Sequence, residues 1–343
     1  MNISQYEIFI KGNPLNNYLQ TLNDNDFKKK VISRTLCNEP NRANGPQLLR
    51  ILFPHTKRHP AEALMAVGDQ NNPNIFGISY NSERDELFLA DFGNNVVRAM
   101  RVRDNAGDLR DVYRAPHDTT PDVFSVCHMS DSDTLLVCSG EYGPDGKYAN
   151  WLVALSRNGS DWREEQHVQT DGRGRISCAL SDSRVLIGDC DTSTYMELFH
   201  VESGPLIARA HRIHVPERYF WFSATCSSDT LVAMSYFDTS VRVHRLRGDL
   251  MEELVRIQLK AASLFLWLAD RLLVADYDRE KQSHAVIELE VSDTRLERRR
   301  ELISTSENIN VYRLCAVNDG VAIFDYKSNE ILHYSFALEL KLK

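Results

Sequence analysis

The chain has 343 residues, 43% of them hydrophobic and 26% charged, the proportions of a folded water-soluble protein rather than a disordered, fibrous or membrane-spanning one. Its 40 Lys and Arg against 48 Asp and Glu leave a net charge of −8, which argues against sequence-independent binding to phosphate backbones. No stretch approaches the roughly 20 continuous apolar residues of a membrane span, and the opening Met1-Asn2-Ile3-Ser4-Gln5-Tyr6 lacks a charged region followed by an apolar signal core. A cytoplasmic address without membrane contact is the expectation. Seven cysteines, with no Cys-x-x-Cys pair and an odd total, suggest neither a zinc knuckle nor a closed disulfide set.

In chain order, residues 1–73 stand apart. Tyr6-Glu7-Ile8-Phe9-Ile10 predicts a strand, and Asn13-Pro14 then caps a helix with Leu15, Tyr18, Leu19 and Leu22 on one face. Phe27, Val31 and Leu36 continue on a second helix, and a third runs from His59-Pro60 through Leu64 to a stop at Gly68.

From residue 74 the chain repeats. Apolar runs closing on a small polar residue occur at Leu87-Phe88-Leu89-Ala90-Asp91, Leu135-Leu136-Val137-Cys138-Ser139 and Val185-Leu186-Ile187-Gly188-Asp189. They recur at Leu231-Val232-Ala233-Met234-Ser235, Leu272-Leu273-Val274-Ala275-Asp276 and Val321-Ala322-Ile323-Phe324-Asp325. Their first residues are 48, 50, 46, 41 and 49 apart, the period of a four-stranded propeller blade rather than a helical repeat. Each run has a strand before it, a polar turn and an alternating strand after it, then a charged strand; in the first unit these are 75–80, 86–92, 96–102 and 109–113. Charged fourth strands such as Leu296-Glu297-Arg298-Arg299-Arg300-Glu301-Leu302 suit the outer edge of a blade, which must be kept from pairing with other chains.

The reading is therefore an all-β fold: a six-bladed β-propeller over 74–343, closed by an N-terminal strand, with a short α-helical N-terminal insertion within 1–73. The chain ends soon after the third strand of its last unit, so the 6–10 strand is expected to complete that blade. A degraded seventh blade is the alternative.

Ligand sites on such a ring lie at one mouth of the central channel, where the innermost strands begin. The residues just before those strands are Asn74, Asp122, Arg175, Glu217, Ser263 and Asn310. Oxygen donors converging from several blades are what a hard cation such as Ca2+ requires, although Asn, Asp and Glu before a strand are also ordinary turn formers. The repeated Asp91, Asp189, Asp276 and Asp325 read as one recurring backbone cap rather than a carboxylate ring. Their neighbours Phe92, Tyr236, Tyr277 and Tyr326 fit packing between blades. His211 and His214, three apart on an outer strand, point to opposite faces, and His117, Asp118 and His128 read as ordinary loop or core groups. The basic clusters Lys28-Lys29-Lys30, Lys57-Arg58 and Arg298-Arg299-Arg300 read as solvated edges, so nucleic acid is not the expected partner.

The stretch Ile78-Ser79-Tyr80 through Leu89-Ala90-Asp91-Phe92-Gly93-Asn94-Asn95-Val96-Val97-Arg98 resembles the NHL-type and gluconolactonase (regucalcin)-type six-bladed propellers. The second of these implies a calcium site. Taken from the fourth blade round, Glu217, Ser263, Asn310, Asn74 and Asp122 follow its ligand order under a circular permutation, although Ile75 and Val123 stand where it has glycine. That resemblance implies Asn74, Asp122, Glu217 and Asn310 as metal ligands, with Asp122 as the base in lactone or ester hydrolysis. The leading expectation is a non-catalytic protein-interaction scaffold without a cofactor. A calcium-dependent lactonase or esterase, and an RNA-binding NHL-type propeller, are the alternatives.

Overall fold

A computed structural model describes residues 75–335, apart from 103–108, 116–121, 143–147, 172–173, 175, 181–182, 189–193, 202–206, 216, 227–228, 269–270, 293–294, 306–307, 319 and 327–329. The predicted helices, the 6–10 strand, Asn74, His117 and the Lys28 and Lys57 clusters lie outside the described residues.

Six antiparallel sheets follow one another along the chain. The first blade is β1 (Ile75–Asn81), β2 (Glu86–Asp91), β3 (Val96–Arg101) and β4 (Arg110–Arg114), and the second is β5 (Asp122–Met129), β6 (Thr134–Tyr142), β7 (Tyr148–Asn158) and β8 (Asp161–Thr170). The third comprises β9 (Ile176–Ala179), β10 (Arg184–Gly188), β11 (Tyr195–Val201) and β12 (Ile207–His214); the fourth, β13 (Tyr219–Cys226), β14 (Thr230–Tyr236), β15 (Ser240–Arg247) and β16 (Leu250–Gln258). In the fifth lie β17 (Ala262–Leu268), β18 (Arg271–Asp278), β19 (Ser283–Val291) and β20 (Leu296–Ile303). Among the described residues the sixth has three strands, β21 (Val311–Val317), β22 (Gly320–Asp325) and β23 (Glu330–Ser335). The first strands of neighbouring blades pack on one another in cyclic order, and β21 meets β1, so the six-bladed ring is closed.

Burial explains why the repeat could be seen. Each second strand is covered on both faces by neighbouring blades, so it reads as an unbroken apolar run: every residue of β2 and of β22 is buried. Six apolar clusters result, one at each blade-to-blade interface. The last of these joins Phe324, Ala322 and Cys315 of the sixth blade to Ile75, Leu87 and Leu89 of the first. At about 1.5–3 kcal/mol for each large side chain removed from water, this seam contributes strongly to closing the ring. Outer strands such as β8 and β20 are mostly exposed and charged, and Arg298, Arg299 and Arg300 pair with Glu301, Glu290 and Glu288 at 2.8, 2.7 and 2.5 Å. The Arg298-Arg299-Arg300 cluster is thus neutralised within its own blade.

Blades approach so closely that one position excludes even a methyl group. A Cβ on Gly77 of β1 would lie 2.7 Å from the Cα of Ser125 and 2.8 Å from the amide nitrogen of Val126, both backbone atoms of β5. Backbone cannot swing aside as a side chain can. Gly77→Ala is expected to cost about 3 kcal/mol in urea denaturation, and an unchanged midpoint would show that the blades are not packed this tightly.

Candidate ligand site at the channel mouth

The innermost strands share an irregularity that shapes the mouth. Pairing between first and second strands slips between Ile75 and Gly77, Val123 and Ser125, Tyr219 and Phe222, Ala262 and Leu264, and Val311 and Arg313. Among the described residues β9 pairs without a slip. An extra residue in one strand bends it and re-aims its side chain, so each bulge turns a residue out of the ladder near the start of the strand. The residues so placed are Phe76, Phe124, the pair Phe220 and Trp221, Ser263 and Tyr312.

Four of the five bulges are aromatic, and the rings of Phe76, Phe124 and Tyr312 form a connected belt. Phe76 lies 4.6 Å from Phe92 and 5.7 Å from Tyr312, between ring centroids; Phe92 is 5.7 Å from Phe124, and Tyr312 is 5.4 Å from Tyr326. On the fourth blade Phe220 stacks at 4.0 Å on Phe237 of the β14–β15 turn. Such rings normally seek cover, yet Phe220, Phe237 and Tyr326 are 40%, 60% and 55% exposed.

Arg313 sits under this belt. Its guanidinium carbon is 4.6 Å from the ring centre of Trp221, 4.5 Å from Tyr312 and 5.4 Å from Phe76. It also donates to the carbonyls of Phe76 and Tyr312. One buried cation thereby ties rings from the fourth, sixth and first blades together through cation–π attraction and hydrogen bonds.

Of the repeated carboxylates, Asp276 and Asp325 are backbone caps as read from the repeat, and Asp189 lies outside the described residues. Asp276 accepts from the amide of Ala261, and Asp325 from the amide of Asn310, each at 2.8 Å, while Ser235 accepts from Trp221 at 3.2 Å. In the first blade Asp91 instead holds Asn94 through its amide, at 3.2 Å, and its side chain, at 2.7 Å. The neighbouring aromatics divide: Tyr236 is buried and shares a 2.8 Å hydrogen bond with His244, whereas Phe92 and Tyr326 belong to the mouth.

The residues proposed for a cation are placed as follows. Asp122 opens β5 opposite Gly140, and Asn74 is outside the described residues. Glu217 is largely exposed, with Oε1 3.2 Å from Arg242, so a cation would compete with a guanidinium for it. Asn310 lies beside His284. Among the described residues no three His, Cys, Asp or Glu side chains gather as a metal cluster. His211 and His214 stand exposed on β12, the fourth strand of its blade. His128 lies at the far end of β5 from the mouth, bonded to Asn81 at 3.1 Å and Asp133 at 2.9 Å as a core group.

The aromatic belt was missed by reading the residue just before each strand. The signal was two positions on: Phe76, Phe124 and Tyr312 each follow Asn74, Asp122 and Asn310 by two residues.

No family model matches this chain, and no curated protein sequence matches it. Solved structures do. The major allergen Mala s 1 of Malassezia sympodialis superposes with a TM-score of 0.56 at 6% identity, covering 81% of this chain and 95% of its own. A glucose dehydrogenase gives 0.53 at 11%, covering 78% and 98%. The soluble aldose sugar dehydrogenase of Escherichia coli, in its apo form, gives 0.52 at 10%, covering 78% and 97%. At such identities the shared property is the fold, one that carries enzymes and other proteins alike: this chain is a six-bladed β-propeller.

Proposed function

We propose that this propeller is an interaction scaffold whose contact surface is the aromatic channel mouth and whose partner is a protein inserting apolar side chains there. The observation that carries the reading is the row of bulges that turns Phe76, Phe124, Phe220, Trp221 and Tyr312 out of the inner ladders, Phe124 buried, Phe220 exposed and the others half-buried. Exposed aromatic rings set beside arginine, on a rigid frame, are the composition of binding hot spots. The rings lose little conformational entropy on contact because their own neighbours already fix them.

The test is affinity capture with the full chain against a Phe220→Ser, Phe237→Ser variant. Proteins retained by the unaltered chain should fall at least about tenfold on the variant while its melting temperature stays the same, since the two rings stack mainly on each other. Equal capture by both would discard the aromatic mouth as the contact surface.

A further inference from the structure

Four bulges at the mouth carry rings, and the fifth carries a hydroxyl. Ser263, half-buried in β17, leaves a notch in the aromatic belt between the blades that bear Trp221 and Tyr312. Its Oγ donates to the carbonyl oxygen of Ala275 at 3.2 Å and lies 3.1 Å from Nε2 of His284. His284, near the start of β19, is buried, its ring 4.8 Å from Tyr277 and its amide bonded to the carbonyl of Ile309 at 2.8 Å. The imidazole is thus fixed in place by the fifth and sixth blades together. Burial pushes its pKa down to about 4, partly offset by the Asp325 carboxylate and the Asn310 side chain, so it is neutral at pH 7. The hydroxyl has one hydrogen, so only when it turns from Ala275 to Nε2 does the neutral ring accept there and carry its own proton on Nδ1. That atom is buried with no hydrogen-bond partner among the described residues, and Asn310 stands beside the ring.

A hydroxyl within hydrogen-bond reach of an imidazole, the imidazole faced by a third polar group, is the arrangement that activates a serine. Contacts of the third group often tighten only when substrate binds. We propose that Ser263 and His284 form a nucleophile–base pair for acyl transfer, acting on esters whose flat apolar part stacks on the rings of the flanking blades. Ser263 Oγ bonds to the acyl carbon as its proton passes to His284 Nε2, and the carbonyl π pair moves onto oxygen. Collapse breaks the carbon–oxygen bond to the alcohol, which leaves with the proton from Nε2. Water then attacks the acyl-serine with the same imidazole as base, releasing the acid and restoring Ser263.

The experiment treats the full chain with a fluorophosphonate, which phosphonylates activated serines, and with p-nitrophenyl butyrate. One adduct per chain is expected, mapped to Ser263 by mass spectrometry; Ser263→Ala should abolish it, and His284→Gln should slow both reactions about 100-fold. A Ser263→Cys variant gives a second readout: its new thiol should react with iodoacetamide at pH 6 faster than an ordinary thiol, and lose that advantage when His284→Gln is added. No adduct at Ser263 together with an ordinary thiol rate, or labelling indifferent to His284→Gln, overturns the proposal. The partner capture above does not depend on Ser263, so failure of one leaves the other standing.

Discussion

Acidification from pH 7 to pH 4 is expected to remove about 6 kcal/mol of stability through two buried histidines. Burial holds both His244 and His284 down at about 4, against an ordinary value near 6.5 in the unfolded chain. For His244 the nearby Arg242 guanidinium lowers it further, and Glu253 and Glu217 oppose. Above about pH 6.5 both forms of the protein carry neutral rings and nothing is lost. Between that value and about 4 the unfolded chain binds protons that the folded chain refuses, so each ring costs on the order of 3 kcal/mol by pH 4. His128 is shifted the same way by burial, against the opposing pull of Asp133, and adds to the slope. Chemical denaturation at pH 7, 5.5 and 4.5 measures the effect, and a His244→Gln, His284→Gln double variant should flatten the curve even if its stability at pH 7 is lower. An equally steep curve in the double variant would assign the acid sensitivity to other groups. Asp238, held down to about 2 by its bonds to Ser240 and Arg242, titrates below this window.

Arg313→Ala is expected to be the most damaging single substitution at the mouth, costing about 3–5 kcal/mol. The change deletes cation–π contacts to three rings and leaves the carbonyls of Phe76 and Tyr312 without their donor at the seam between the last and first blades. Arg313→Lys should recover little, because a compact ammonium cannot lie flat between rings and bond two carbonyls at once. Urea denaturation of both variants checks this, and a loss under about 1 kcal/mol would show that the ring closes without the cation. The same variants should release the rings of Trp221 and Tyr312, which near-ultraviolet circular dichroism would register as lost aromatic signal.

The blades were legible in the amino-acid sequence because burial on both faces leaves a one-dimensional mark. Leu87 to Asp91 and Val321 to Asp325 are apolar without alternation since neighbouring blades cover both sides, and the marks recur at blade spacing. The capping role of Asp276 and Asp325 was legible for a similar reason: a contact that recurs between units favours one residue type at one offset. The mouth was harder to read. Period-two counting assumes an unbroken ladder, and the slips at Phe76, Phe124 and Tyr312 break it where the side chains are re-aimed. Counting from Asn74, Asp122 and Asn310 therefore stopped short of the rings two positions later.

Pairs between blades were out of reach altogether. Arg313 and Phe76 are 237 residues apart, and nothing local to either marks the other as its partner. Ser263 and His284 lie on different strands of one blade, with Asn310 supplied by the next. Local composition and spacing determined the blade and its sixfold repetition, because those follow from what each segment must bury. Which side chains meet at the mouth was decided only when the ring closed, because bulges and blade contacts join residues that the chain keeps far apart.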